Sequence, residues 1–188
     1  MYALIIKRIL DVVLATVSLV FLSPIFAFIA VAIRIEDGSP VFFIQERIGR
    51  GGKRFRLIKF RSMPTNSQDI PSAEATTLQV TRVGSLIRRS NIDELPQLVN
   101  ILLGEMSLIG PRPALPSQRK LLALRLENGA MECKPGLTGV AQVKSYDSMP
   151  EEEKARYDGE YACCISFMKD TQIFFRTFQY LLRRPPVY

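Results

Sequence analysis

Asp93 and Glu94 are adjacent carboxylates, followed by Leu95-Pro96-Gln97 and by a run, Leu98 to Leu103, that stops at Gly104. Carboxylates are among the residue types that could carry chemistry, and their oxygens suit a hard cation. Leu95, Leu98, Val99, Leu102 and Leu103 recur at helical spacing, which predicts an amphipathic helix ending at Gly104. Pro96 is tolerated only in a first turn, where a backbone N–H has no intrahelical partner anyway. The acids therefore fall at the helix N-terminus, where free N–H groups and the helix dipole favour negative charge. Taken alone, such a pair is an N-cap and an ordinary first-turn acid.

The surroundings change that reading because they are cationic. Arg82, Arg88 and Arg89 lie just upstream, and Arg112 stands downstream between Pro111 and Pro113. The two prolines stiffen the backbone around Arg112, so its guanidinium presents a preset fork suited to phosphate. Lys59 lies near the end of a predicted strand. In isolation each of these cations reads as a solvated surface residue; together they surround a pair of acids.

Composition narrows the chemistry further. The 188 residues contain no histidine, which excludes Ser-His-Asp and Cys-His arrangements and any histidine-bearing metal site. Carboxylates, Lys, Arg or Tyr must carry any reaction, and a metal would be a hard cation such as Mg²⁺ on oxygen ligands. The length suits one domain with a real core plus an appended segment. A net charge of +7 calls for an anionic partner. No helix-turn-helix, zinc-finger or RNA-recognition pattern is present, so nucleic acid is not expected, and the apolar N-terminus points to membrane lipid. Cys133, Cys163 and Cys164 do not form a disulfide framework and fit a reducing compartment.

The elements that must position these residues begin with Val12 to Ile33. It is an uncharged run of about 22 residues, long enough to cross a bilayer as a helix. Ser23-Pro24 interrupts it. Pro24 removes a backbone hydrogen bond, and the Ser23 hydroxyl can satisfy the freed carbonyl. Lys7 and Arg8 precede the run, while Arg34, Arg47, Arg50, Lys53, Arg54 and Arg56 follow it, so the positive-inside rule holds both ends on the cytoplasmic side. A helix that enters one leaflet, bends at Ser23-Pro24 and returns satisfies both observations; on residues alone a spanning helix stays open.

Glu36-Asp37-Gly38-Ser39-Pro40 is predicted as a turn. Residues 41–48 and 55–60 then form a β-hairpin around Gly49-Arg50-Gly51-Gly52-Lys53, whose glycines lack Walker A spacing. Residues 63–80 read as an exposed loop and 118–127 as a helix with its leucines mostly toward the core. Lys134-Pro135-Gly136 is a turn running into a strand-like stretch as far as Val143. Pro150 opens an acidic helix, and aromatic-rich helices, more often core than membrane contact, close the chain before Arg183 and Arg184.

These stretches, in order, resemble the small monotopic phosphoglycosyl transferases among bacterial sugar transferases. The resemblance rests on Lys7-Arg8 with Ser23-Pro24, Lys59-Phe60-Arg61-Ser62-Met63, Thr81-Arg82-Val83-Gly84, Asp93-Glu94-Leu95-Pro96-Gln97, Met106 to Pro113, Pro135-Gly136-Leu137-Thr138-Gly139 and Tyr157-Asp158. It implies an α+β, predominantly helical fold: a re-entrant membrane helix over residues 1–36 and a small globular catalytic domain with a β-hairpin over 37–188. It implies transfer of sugar-1-phosphate from a UDP-sugar to polyprenyl (undecaprenyl) phosphate, releasing UMP, at the cytoplasmic face of the bacterial inner membrane. Asp93 would form an aspartyl phosphosugar and Glu94 would hold Mg²⁺. Lys59 and Arg112 would bind the nucleotide diphosphate, and Arg88 the lipid phosphate. Many relatives carry an Asn-Gly-Arg-like segment after Gln142-Val143; here Lys144-Ser145-Tyr146-Asp147 stands there, making Tyr146 and Asp147 candidate sugar contacts. Direct transfer in a ternary complex, with Asp93 as base, is the rival mechanism, and a non-catalytic anionic-lipid scaffold the rival class. The sugar, the polyprenol length and the oligomeric state, a homo-oligomer included, stay open.

Overall fold

A computed structural model describes residues 2–64, 80–144 and 149–182. After a π-helical turn at Tyr2–Ile6, helix α1 runs unbroken from Lys7 to Asp37. It passes through Pro24, and the Ser23 hydroxyl donates to the Val20 carbonyl at 2.8 Å. Val20 lies four residues before Pro24, so this is the acceptor that the proline leaves without an N–H. The helix is long and apolar enough to cross a membrane by length and composition.

Two faces of α1 differ in fate. Ala15 packs into a cluster with Phe55, Leu57, Leu98, Ile101 and Met106, while Ile29 and Ile33 join Phe60 and Ile87. The opposite face leaves Val13, Val17, Val20, Phe21, Phe28, Val31 and Ile35 exposed, Phe21 at 79%. So large an apolar stripe marks a surface that meets something other than water.

Polar residues fasten both ends of α1 to the globular body. At one end Lys7 pairs with Asp170 at 2.6 Å, and Arg8 donates to the carbonyls of Ile101 and Leu102. The buried Asp11 carboxylate accepts the Leu108 N–H at 2.9 Å. At the other end Glu36 accepts the N–H groups of Arg82 and Val83, and Asp37 pairs with Arg61 at 2.9 Å. Lys7 and Arg8 are thus tertiary struts as well as flanking positive charges.

Strands β1 (Phe42–Ile48) and β2 (Arg54–Phe60) form the expected hairpin, in antiparallel register from Phe42 opposite Phe60 to Ile48 opposite Arg54. Helix α2 (Arg82–Arg89) starts at Thr81, whose hydroxyl accepts the Gly84 N–H in an N-cap. Helix α3 (Gln97–Leu103) ends at Gly104, which takes φ 85°, a left-handed value suited to glycine. Strand β3 (Ser107–Ile109) pairs parallel with β4 (Gly136–Thr138). Gly110 and Gly136 let these backbones meet, since a Cβ on Gly136 would lie 2.1 Å from the Gly110 nitrogen.

Helix α4 (Arg119–Glu127) buries Leu121 and packs the half-buried Leu122 and Leu124 beside it, so its leucines lie mostly toward the core as expected, with Leu126 exposed. The strand-like stretch shortens to β4, and residues 140–144 form helix α5 (Val140–Lys144). Gly139 ends the strand, and the Val143 N–H turns back to the Gly139 carbonyl. Helix α6 (Glu151–Ala162) follows Pro150 with Glu151, Glu152 and Glu153 in its first turn. The aromatic stretch is one helix, α7 (Phe167–Leu182), which buries Ile173 against Ile109 and Tyr161 yet exposes Phe167, Met168, Phe175 and Phe178.

Candidate active site

Asp93 and Glu94 lie in a 3-10 turn, Ile92–Glu94, one step before α3 rather than in its first turn. Asn91 causes this. Its left-handed backbone, φ 54°, bends the chain out of α2, and the next residues close tight i→i+3 bonds before Pro96 lets the α-helix begin. The acids still stand where the chain enters α3.

Two elements bring cations to Glu94. Lys59 on β2 places Nζ 2.7 Å from Glu94 Oε1. Arg112, in the Pro111-Arg112-Pro113 turn after β3, places Nη2 3.0 Å from Oε1 and Nη1 3.4 Å from Oε2. Burial alone would raise the Glu94 carboxyl, but Arg112 and Lys59 outweigh it and hold the group well below the usual carboxylate range. Glu94 is therefore ionised at neutral pH.

Asp93 is different. It is 8% exposed, yet among the described residues its carboxylate makes no hydrogen bond and no ion pair. Burial pushes its carboxyl up to about 6, against the pull of Lys59, Arg88 and Arg112 and with the push of Glu94. All four charges are close enough to bear on it. Arg88, on α2, is held by its Nε donating to the Ser62 hydroxyl at 2.9 Å.

The elements carrying these side chains are locked to one another. Asn100, fully buried in α3, accepts the Ile58 N–H at 3.1 Å and donates to the Arg56 carbonyl at 2.7 Å. It thus satisfies the edge of β2 that β1 does not pair, and fixes the strand of Lys59 against the helix that follows Glu94. The Arg112 turn is gripped through its carbonyls: the Gly136 N–H donates to Pro111 at 2.8 Å and Arg47 to Pro113 at 3.1 Å. Sequence reading missed Asn100 and Ser62; a lone Asn amid a helix's apolar run was the available signal.

Of the expected site residues, Lys59, Arg88, Asp93, Glu94 and Arg112 come together. Tyr146 and Asp147 lie outside the described residues. Three cations face two carboxylates, one of them raised by burial, so the cluster favours an incoming polyanion such as a diphosphate. No group of three or more acid or cysteine side chains able to hold a metal occurs among the described residues. The donor set offered is a single ionised carboxylate, Glu94. That fits Mg²⁺ in its usual protein mode, in which one or two carboxylates share the ion with substrate phosphates and water.

Known proteins resemble this chain along most of its length. UDP-glucose:undecaprenyl-phosphate glucose-1-phosphate transferase of Caulobacter vibrioides is 36% identical over 97% of this chain and 72% of its own length. The Escherichia coli protein of the same name is 38% identical over 91% of this chain, which spans 39% of that relative. UDP-N-acetylgalactosamine-undecaprenyl-phosphate N-acetylgalactosaminephosphotransferase of Aeromonas hydrophila is 38% identical over 94% of this chain and 44% of its own length. The profile of the family described as bacterial sugar transferase matches residues 2–184. The chain belongs to the bacterial sugar transferase family.

Proposed function

We propose that this protein transfers sugar-1-phosphate from a UDP-sugar to polyprenyl phosphate and releases UMP, in two steps through Asp93. The observation that carries the reading is Asp93 itself: nearly buried, without a hydrogen-bond partner among the described residues, and within reach of three cations. In the first step an Asp93 oxygen attacks the β-phosphorus of the donor. A bond forms from that oxygen to phosphorus, the bond to the bridging oxygen breaks, and UMP leaves with the electron pair. In the second step a phosphate oxygen of the polyprenyl phosphate attacks the same phosphorus, forming the lipid diphosphate-sugar and restoring the Asp93 carboxylate. Covalent catalysis divides one difficult transfer into two easier ones.

The remaining residues act electrostatically. Lys59 and Arg112, both already turned toward a carboxylate, exchange some of that contact for the diphosphate oxygens. Arg88 receives the lipid phosphate. Glu94 would hold Mg²⁺, which when bound supplies positive charge against the diphosphate. Tyr146 and Asp147 are assigned to the sugar.

The anchor, residues 1–36, lies in one leaflet at the cytoplasmic face of the inner membrane, with the catalytic domain, residues 37–188, against it. Support comes from the fastening of both ends of α1 to one globular body, Lys7, Arg8 and Asp11 at one end and Glu36 and Asp37 at the other. A helix crossing the bilayer would carry its far end away from that body, to the opposite side of the membrane. The lipid phosphate lies at headgroup depth, so such an anchor holds the site at the depth of its substrate.

Asp93 as a general base in direct ternary transfer is the second reading, and its carboxyl near 6 suits a base too. The test of the overall function is a panel of UDP-sugars assayed for UMP release with undecaprenyl phosphate. At least one sugar should give lipid-dependent turnover that Asp93→Asn abolishes. No turnover with any sugar, or turnover unaffected by Asp93→Asn, contradicts the proposal.

A further inference from the structure

Arg125 and Asp158 are among the most deeply buried charged residues of the described chain, at 4% and 2% exposed. They lie on different helices, α4 and α6, away from the acids that face the substrates. Arg125 donates Nε and Nη2 to Asp158 Oδ2, at 2.9 and 2.6 Å. Its remaining arm, Nη1, donates at 2.9 Å to the backbone carbonyl of Arg112. A guanidinium is a rigid planar fork, so fixing one edge on Asp158 aims the other at a set point.

That point matters because of what surrounds it. Pro111 and Pro113 have no N–H, so the Arg112 turn can be held only through its carbonyls and the single Arg112 N–H. Each of its three carbonyls has a donor from a different region of the chain: Gly136 for Pro111, Arg125 for Arg112 and Arg47 for Pro113. The middle one sits on the residue whose side chain reaches Glu94. A shift of this peptide plane moves the root of the Arg112 side chain. Nothing else in the function proposed above uses the Tyr157-Asp158 motif.

We infer that Asp158 and Arg125 are positioning residues for the donor half of the reaction, with Asp158 orienting Arg125 and Arg125 setting the backbone from which Arg112 grips the nucleotide diphosphate. The inference rests on the proposed function and deepens it. Neither residue touches substrate, and the effect passes through one peptide carbonyl. Arg125→Lys keeps the charge but loses the fork, so Asp158 and the Arg112 carbonyl can no longer both be served in plane.

The test is a double-mutant cycle on the full chain in detergent or vesicles, with steady-state UMP release measured against both substrates. Arg125→Lys should lower kcat/KM for the UDP-sugar by about tenfold, the scale of a small misplacement of a reacting group. The KM for polyprenyl phosphate should stay within about twofold. In an Arg112→Ala background the same change should cost less than about twofold, because its only route to the substrate has been removed. Equal losses in both backgrounds, or parallel rises in both KM values, overturn the inference. If Arg125→Lys does not fold, the near-isosteric Asp158→Asn carries the same cycle. Failure of both to fold assigns the pair to stability alone and also overturns it. The wild-type arm separates the two levels: no UMP from any UDP-sugar defeats the proposed function, whereas normal wild-type turnover with additive mutants defeats only the positioning role.

Discussion

Two kinds of buried aspartate stand in this chain, and they differ in whether their charge is answered. Asp158 takes two donors from Arg125, and Asp170 takes Tyr2, Lys7 and Tyr161 at 2.6 to 2.7 Å. Both are closed into the fold: Asp158 ties α4 to α6, and Asp170 ties the start of α1 to α6 and α7. Asp93 is about as buried but has no direct partner among the described residues. Cations stand near it without bonding it. A carboxylate closed into an ion pair is shielded, whereas one left unbonded by protein in a cationic field is open to an electrophile. Burial raises the carboxyl of both Asp93 and Asp158, but at Asp158 the Arg125 guanidinium answers it directly through two hydrogen bonds.

The contrast is open to direct attack. The largest effect belongs to Asp93→Asn, which should reduce UMP release by about 10⁴-fold or more, as loss of a nucleophile does. Residual activity within tenfold of wild type breaks the distinction. Asp158→Ala and Asp170→Ala should each unfold the protein more easily by about 3–5 kcal/mol, since a buried partner is left unanswered, and chemical denaturation measures it. Asp93→Asn should do the reverse. The folded-state carboxyl, near 6, lies above its ordinary value of 3.8, so Asp93 favours folding below that ordinary value and the benefit is lost as pH rises through 6. At pH 8 the asparagine variant should therefore be more stable by up to about 3 kcal/mol, with the gap closing toward pH 4. A less stable variant at pH 8 would contradict the assignment.

Smaller effects sharpen the picture. The rate of UMP release should fall as pH drops through about 6, because a protonated Asp93 cannot attack. Arg88 pulls this carboxyl down, so Arg88→Met should move the acid limb to higher pH; a limb that stays or moves lower removes Arg88 from the field. Smallest is Ser23→Ala, which leaves the Val20 carbonyl unanswered beside Pro24 and should cost about 1 kcal/mol in thermal unfolding.

Much of the site was legible because its signals are local. Asp93-Glu94 before Pro96, Arg112 between prolines, Lys59 on a hairpin strand and Gly104 at a helix end are each readable within a few residues. The structure brings Lys59, Arg88, Asp93, Glu94 and Arg112 near one another. The misses are where distant partners decide. Lys7 and Arg8 read as flanking charge, yet their acceptors are Asp170 and the end of α3. Arg125 stands between Leu124 and Leu126 with nothing local to mark it; its partner Asp158 lies 33 positions away and no periodicity links them. The 3-10 turn at Ile92–Glu94 depends on a left-handed Asn91, which asparagine tolerates but does not announce. Val140 to Val143 looked like a strand because valine favours extended chain, yet the Gly139 carbonyl starts a helix there.

On the covalent route, the Asp93 carboxylate becomes bonded to the sugar phosphate before any lipid arrives. Radiolabelled UMP incubated with the enzyme and its UDP-sugar, without polyprenyl phosphate, measures this directly. Label should enter the UDP-sugar pool, and Asp93→Asn should stop it. An enzyme that completes the overall transfer but exchanges no label without the lipid would contradict the covalent route and leave Asp93 as a base.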